Sequence, residues 1–96
     1  MPSQQAPDEL LALREKIDSI DEEMLDLLAR RFNVTARVGE LKAESGLDSV
    51  DPVREQEKLE RLRALAGEKS LNSEFILDLF QTLFDEVVKN HRNFLK

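Results

Sequence analysis

Arg31 is the one charged residue in an otherwise apolar series, and a guanidinium in such a place calls for an anion. The series runs Leu10, Leu13, Ile17, Ile20, Met24, Leu27, Arg31, Val34, Val38 and Leu41, at alternating spacings of three and four. A guanidinium left buried and unpaired is prohibitively costly. Two readings are therefore open: Arg31 pairs with a buried acid or reaches the edge of the helix, or it faces a cavity that holds an anion. Lys42 lies eleven residues further on. On a helix that is about 16 Å along the axis and roughly the same side, so the two long cations can close on one small dianion. Taken alone, Lys42 reads as an ordinary flanking lysine.

The remaining candidates are weaker singly. Arg14 is seventeen residues before Arg31, about 25 Å away on one helix. One chain cannot grip one metabolite with both, so Arg14 serves a partner's site or is a solvated arginine near a helix start. Asp51-Pro-Val-Arg-Glu55 has the form of a helix start, where free backbone N–H groups and the positive dipole end favour an anion or a hydroxyl oxygen. There Arg54 can bind a carboxylate and Glu55 can accept from a hydroxyl, although acidic helix starts also occur for stability alone. His91 is the single histidine; it reads as a packed core residue or as a donor facing a cavity. No zinc-ligand spacing, Ser-His-Asp order, phosphate loop or dinucleotide fingerprint occurs in the chain. Nucleophilic hydrolysis, metal catalysis and nucleotide chemistry thus lack their parts.

These residues need helices to position them. The first helix is expected from Pro7 to about Glu44, with Asp8 and Glu9 at its positive end and Ser45-Gly46 as the stop. A second is expected from Asp51-Pro52 to about Ala66, ending at Gly67, and a third from an Asn72 or Ser73 cap to about Phe94. On the third, Ile76, Phe80, Leu83, Phe84, Val87 and His91 form an apolar stripe. Ninety-six residues make one small domain, here residues 1–96 with a flexible tail over 1–6. A first helix of some 35 residues is about 52 Å long and outruns any compact monomer of this size. Its bare seam needs a second chain, and a homodimer is the economical answer. The three Gly, three Pro and absent Cys favour helix and exclude disulfides and thiolate metal sites. A net charge of -6 argues against a nucleic-acid partner. There is neither a membrane-length apolar run nor a basic, apolar leader at MPSQQAPDE, so a cytoplasmic location is expected.

Four segments carry a resemblance. Leu10-Leu-Ala-Leu-Arg-Glu-Lys-Ile-Asp-Ser-Ile-Asp21, Leu27-Leu-Ala-Arg-Arg31, Val38-Gly39 with Lys42, and Asp51-Pro-Val-Arg-Glu55 resemble, in order, the signatures of the all-helical chorismate mutases. The likeness covers roughly residues 10 to 92 and implies an all-α fold: three helices per chain in an intertwined homodimer with shared sites. It implies rearrangement of the dianion chorismate to prephenate, in the shikimate pathway to aromatic amino acids, without metal or cofactor. By the same resemblance, Arg14 of the partner and Arg31 hold the substrate's carboxylates, with Arg54 against a carboxylate as well. Lys42 binds a carboxylate and the ether oxygen, and Glu55 and the backbone near Asp51 receive the ring hydroxyl. Two positions depart from the family: Val87 stands where a Ser is common, and His91 where a Gln occurs. The catalytic set implied is Lys42, Arg31, His91 and Glu55, with His91 assisting at the ether oxygen if it presents an N–H.

Relatives of the same fold act on isochorismate as lyases or on 4-amino-4-deoxychorismate as mutases. The Asp51-to-Glu55 segment reads as mutase-like, whereas the amino analogue differs only at the group that Glu55 meets. A non-catalytic helical dimer that binds a partner enzyme is the reading from a different class; retention of all four cations argues against it.

Overall fold

The scarcity of Gly and Pro and the long apolar periodicity lead to three helices in the computed structural model, which describes residues 7–94. The tail expected over residues 1–6 lies outside the described residues. The helices are α1 (Asp8–Glu44), α2 (Pro52–Glu68) and α3 (Ser73–Phe94), and no strand occurs among the described residues. The all-α class expected from the sequence is therefore what the chain adopts.

Helix ends follow local chemistry. The Pro7 carbonyl accepts from Leu11 N at 3.1 Å, so Pro7 stands just outside α1 rather than at its first position. α1 stops where Gly46 takes φ 68°. Leu47 N donates to Lys42 O at 2.8 Å and Gly46 N to Ala43 O at 3.2 Å, a Schellman closure that needs a left-handed residue. In the following loop Val50 N donates to Asp48 Oδ1 at 3.1 Å and Ser49 is buried. Asn72 caps α3, its Oδ1 accepting from Phe75 N at 3.1 Å. The end of α2 differs from expectation. The helix passes through Gly67 to Glu68, and the left-handed position falls on Ser70, with φ 59°. Leu71 N then donates to Ala66 O at 2.8 Å and Ser70 N to Gly67 O at 3.1 Å. Gly67 has the type of a helix stop but not the conformation.

The chain divides into two units at Asn33 and Val34. In the first, the stretch of α1 up to Asn33 carries its seam uncovered: Leu13, Ile17, Ile20, Met24 and Leu27 are each 47–57% exposed. In the second, residues 34–96, α2 packs against α3. Ala66 and Phe84 are buried there, and the Phe80 and Phe84 rings meet edge to face, 6.4 Å apart at 63°. Burial of a side chain such as Phe84 contributes about 1.5–3 kcal/mol, and few of the described residues reach that state. No described helix is long and apolar enough to cross a membrane.

Candidate functional site

The cations expected to bind an anion are placed by α1 and α2. Arg14 is exposed and Arg31 half-buried, both on the first stretch of α1. Lys42 is half-buried in the last turn of α1, where a cation also complements the helix dipole. Arg54 is exposed in the first turn of α2.

Asp51 owes its position to backbone chemistry. Its extended backbone (φ -129°, ψ 90°) ends the loop, and Oδ1 accepts from Arg54 N at 3.1 Å. Pro52, which has no N–H to satisfy, follows as the first helical residue. The carboxylate of Asp51 is thus a helix cap. Glu55 is half-buried and lines a cleft of about 740 Å³ in residues 34–96. Val50 from the loop and Asp85, Val88, Lys89 and Arg92 from α3 line it with Glu55. Lys42, Asp51, Arg54, Val87 and His91 are not among its lining residues.

Lys89 and Arg92 bring cations to the Glu55 cleft that sequence reasoning did not single out. The available signal was the spacing Gln81, Asp85, Val88, Lys89, Arg92, one face of α3 adjoining its apolar stripe. A polar face of that kind ordinarily reads as solvated. Val87 is half-buried, in keeping with the stripe.

His91 is buried, 5% exposed. Its Nε2 lies 2.8 Å from the Thr35 carbonyl on α1. A carbonyl only accepts, so Nε2 carries the proton and donates. Gly39, one turn after Thr35, is buried beneath the ring: a Cβ there would lie 2.5 Å from His91 Cδ2. The contact belongs wholly to the unit of residues 34–96. No cluster of three or more metal-ligating side chains occurs among the described residues.

Residues 13–92 match the family model described as chorismate mutase type II. The bifunctional chorismate mutase/prephenate dehydratase of Escherichia coli (strain K12) is 39% identical over 87 residues, 91% of this chain and 22% of that protein. The bifunctional chorismate mutase/prephenate dehydratase of Buchnera aphidicola subsp. Acyrthosiphon pisum is 34% identical over 91 residues, 95% of this chain and 24% of that protein. The chorismate mutase of Methanocaldococcus jannaschii is 33% identical over 78 residues, 81% of this chain and 79% of that protein. The chain therefore spans under a quarter of the length of the two bifunctional relatives and is similar to most of the archaeal one.

Proposed function

The chain belongs to the chorismate mutase type II family, and from that premise we propose that it rearranges chorismate to prephenate as a homodimer with sites shared between protomers. One observation carries this reading. The chain is similar both to a fraction of two bifunctional proteins and to most of one named for chorismate mutase alone. The activity that all three names share is the mutase, not the dehydratase.

The chemistry is a concerted shift: the ether C–O bond breaks as a C–C bond forms between the enolpyruvyl arm and the ring. It needs no nucleophile, external acid or cofactor. The protein holds the arm over the ring, which removes an entropic barrier, and sets positive charge beside the ether oxygen as it gains negative charge. Arg31, with Arg14 of the partner subunit, grips the two carboxylates through planar bidentate forks. Arg54 lies against a carboxylate, and Lys42 reaches from the last turn of α1 to a carboxylate and the ether oxygen. Glu55 and the backbone beside Asp51 take the ring hydroxyl, and Val87 gives an apolar wall. His91 adjoins the ether oxygen.

The uncovered seam of α1 supports the dimer, since side chains such as Ile17 and Leu27 are more than half exposed in one chain. A second copy would cover them and bring its own Arg14 to the site. Placement in the cytoplasm and in aromatic amino acid biosynthesis is part of the same proposal. Its support is the pairing with prephenate dehydratase in two relatives.

The test is loss of chorismate with stoichiometric appearance of prephenate, using purified protein. Isochorismate and 4-amino-4-deoxychorismate are assayed alongside. Preference for either analogue would change the assigned substrate, and turnover of none would overturn the enzymatic reading. Sedimentation at micromolar concentration should give about twice the 11.0 kDa chain mass.

A further inference from the structure

A glycine inside a helix destabilises it by about 1 kcal/mol relative to alanine, so Gly39 in the penultimate turn of α1 needs a reason. The His91 ring supplies one. Of the ring atoms, Cδ2, Nε2 and Cγ come nearest to the place a Cβ would occupy, at 2.5, 3.0 and 3.1 Å. A side chain at position 39 would push the ring off α1 and break the 2.8 Å bond from Nε2 to the Thr35 carbonyl. Thr35 and Gly39 are one turn apart, so the same face of the helix offers both the gap and the acceptor. That carbonyl also belongs to the helix ladder, and its second lone pair is the one that takes the imidazole.

The two ring nitrogens point in widely different directions, so Nδ1 is turned away from the Thr35 carbonyl. It is enclosed and meets no hydrogen-bond partner among the described residues. Buried polar atoms are nearly always satisfied, and an exception calls for an explanation.

We propose that Gly39 and the Thr35 carbonyl are positioning groups that hold His91 as the Nε2–H tautomer. The ring's one N–H is then committed to Thr35, and neutral His91 has none left to donate to a ligand. The proposal rests on the reading above only for what the ligand is. The ether oxygen of chorismate, which only accepts, therefore receives no hydrogen bond from neutral His91. Lys42 is then the donor at that oxygen.

The chain has a single histidine, so its imidazole signals need no assignment. Nitrogen NMR on the full-length, substrate-free protein at about pH 8.5, where an ordinary imidazole is neutral, reads the tautomer directly. The expected result is a protonated Nε2 and a pyridine-type Nδ1. An Nδ1–H form, or a mixture of the two, would overturn the proposal. Gly39→Ala should turn the single tautomer into a mixture while circular dichroism stays helical; a folded G39A with unchanged imidazole signals would remove Gly39 from the role. If G39A does not fold, the double variant Gly39→Ala/His91→Ala decides. Recovery of the fold puts the fault in the clash between ring and Cβ, and failure to recover it counts against the proposal. None of these measurements uses chorismate, so a protein inactive on chorismate would sink the assigned reaction and leave the tautomer result standing.

Discussion

The Asp51 carboxylate accepts the backbone N–H of Arg54 at 3.1 Å, and the Asp51 carbonyl accepts that of Glu55 at 3.0 Å. One residue thus starts the helix that carries two of the proposed ligand-binding side chains. Its carboxylate is already engaged in doing so, and a substitution there moves stability and ligand binding by separable amounts. Asp51→Ala should destabilise the protein by about 1 kcal/mol, the usual loss for a missing cap, whereas Asp51→Asn keeps the cap and most of the stability. On the proposed reading the Asn variant also keeps kcat/KM close to the parent value, since the backbone rather than the carboxylate meets the ring hydroxyl. Urea unfolding and steady-state kinetics on the two variants check both. A kinetic loss in Asn as deep as in Ala would give the carboxylate a direct role.

Gly67 and Ser70 invite opposite substitutions. Gly67 is helical, and a Cβ there meets nothing within 4 Å, so Gly67→Ala should stabilise by about 0.5–1 kcal/mol. Ser70 sits at φ 59°, where a non-glycine residue is strained by roughly 1–2 kcal/mol. Ser70→Gly relieves that strain, though added freedom in the unfolded chain takes back part of the gain. Each should raise the urea midpoint without changing the slope, compared at one protein concentration because the midpoint of the proposed dimer depends on it. A lowered midpoint in Gly67→Ala would show that position 67 is covered in the assembled protein.

These two residues also show where sequence reading ran out. Asp51-Pro52, Ser45-Gly46 and Asn72 mark helix ends by residue type, because the cap or the left-handed turn needs that chemistry, and the three ends fall where such types predict. Ser70 carries no such mark: the left-handed turn falls on it because α2 continues through Gly67 to Glu68. The same divide runs through the site. Lys42, named from its spacing, does not line the cleft, and Glu55, which does, was legible from its motif. Lys89 and Arg92 were not, because a charged face next to an apolar stripe is what any surface helix shows. The partner of His91 was least legible of all: it is a backbone carbonyl 56 residues away, and no side-chain pattern announces a carbonyl.

His91→Gln replaces a ring whose N–H is engaged by Thr35 with an amide that has two N–H bonds to give. One N–H can serve the Thr35 carbonyl and the other the ether oxygen. A new hydrogen bond formed in the transition state contributes about 1 kcal/mol, so kcat/KM at pH 8.5 should rise about fivefold. His91→Leu, which neither donates nor accepts, should give no rise. Initial rates with chorismate measure this, and a fall in the Gln variant would mean that the imidazole contributes something an amide cannot supply.

Arg14 and Arg31 stand seventeen residues apart on one helix, α1, and about 25 Å of axial rise keeps them from the same small dianion within one chain. If both hold the substrate, each site draws Arg31 from one protomer and Arg14 from the other. The Arg14→Ala and Arg31→Ala homodimers should then each lose activity by at least a hundredfold, since each leaves a carboxylate without its charge-assisted fork. Unfolding the two together and refolding the mixture yields heterodimers in which one site has lost both arginines and the other has kept both. With random pairing, half the dimers are of this kind, and activity should return to about one quarter of the parent level. A mass-tagged version of one chain confirms that heterodimers form. Full heterodimer formation without recovered activity would place Arg14 outside the shared site and leave Arg31, Lys42 and Arg54 to hold the substrate from a single chain.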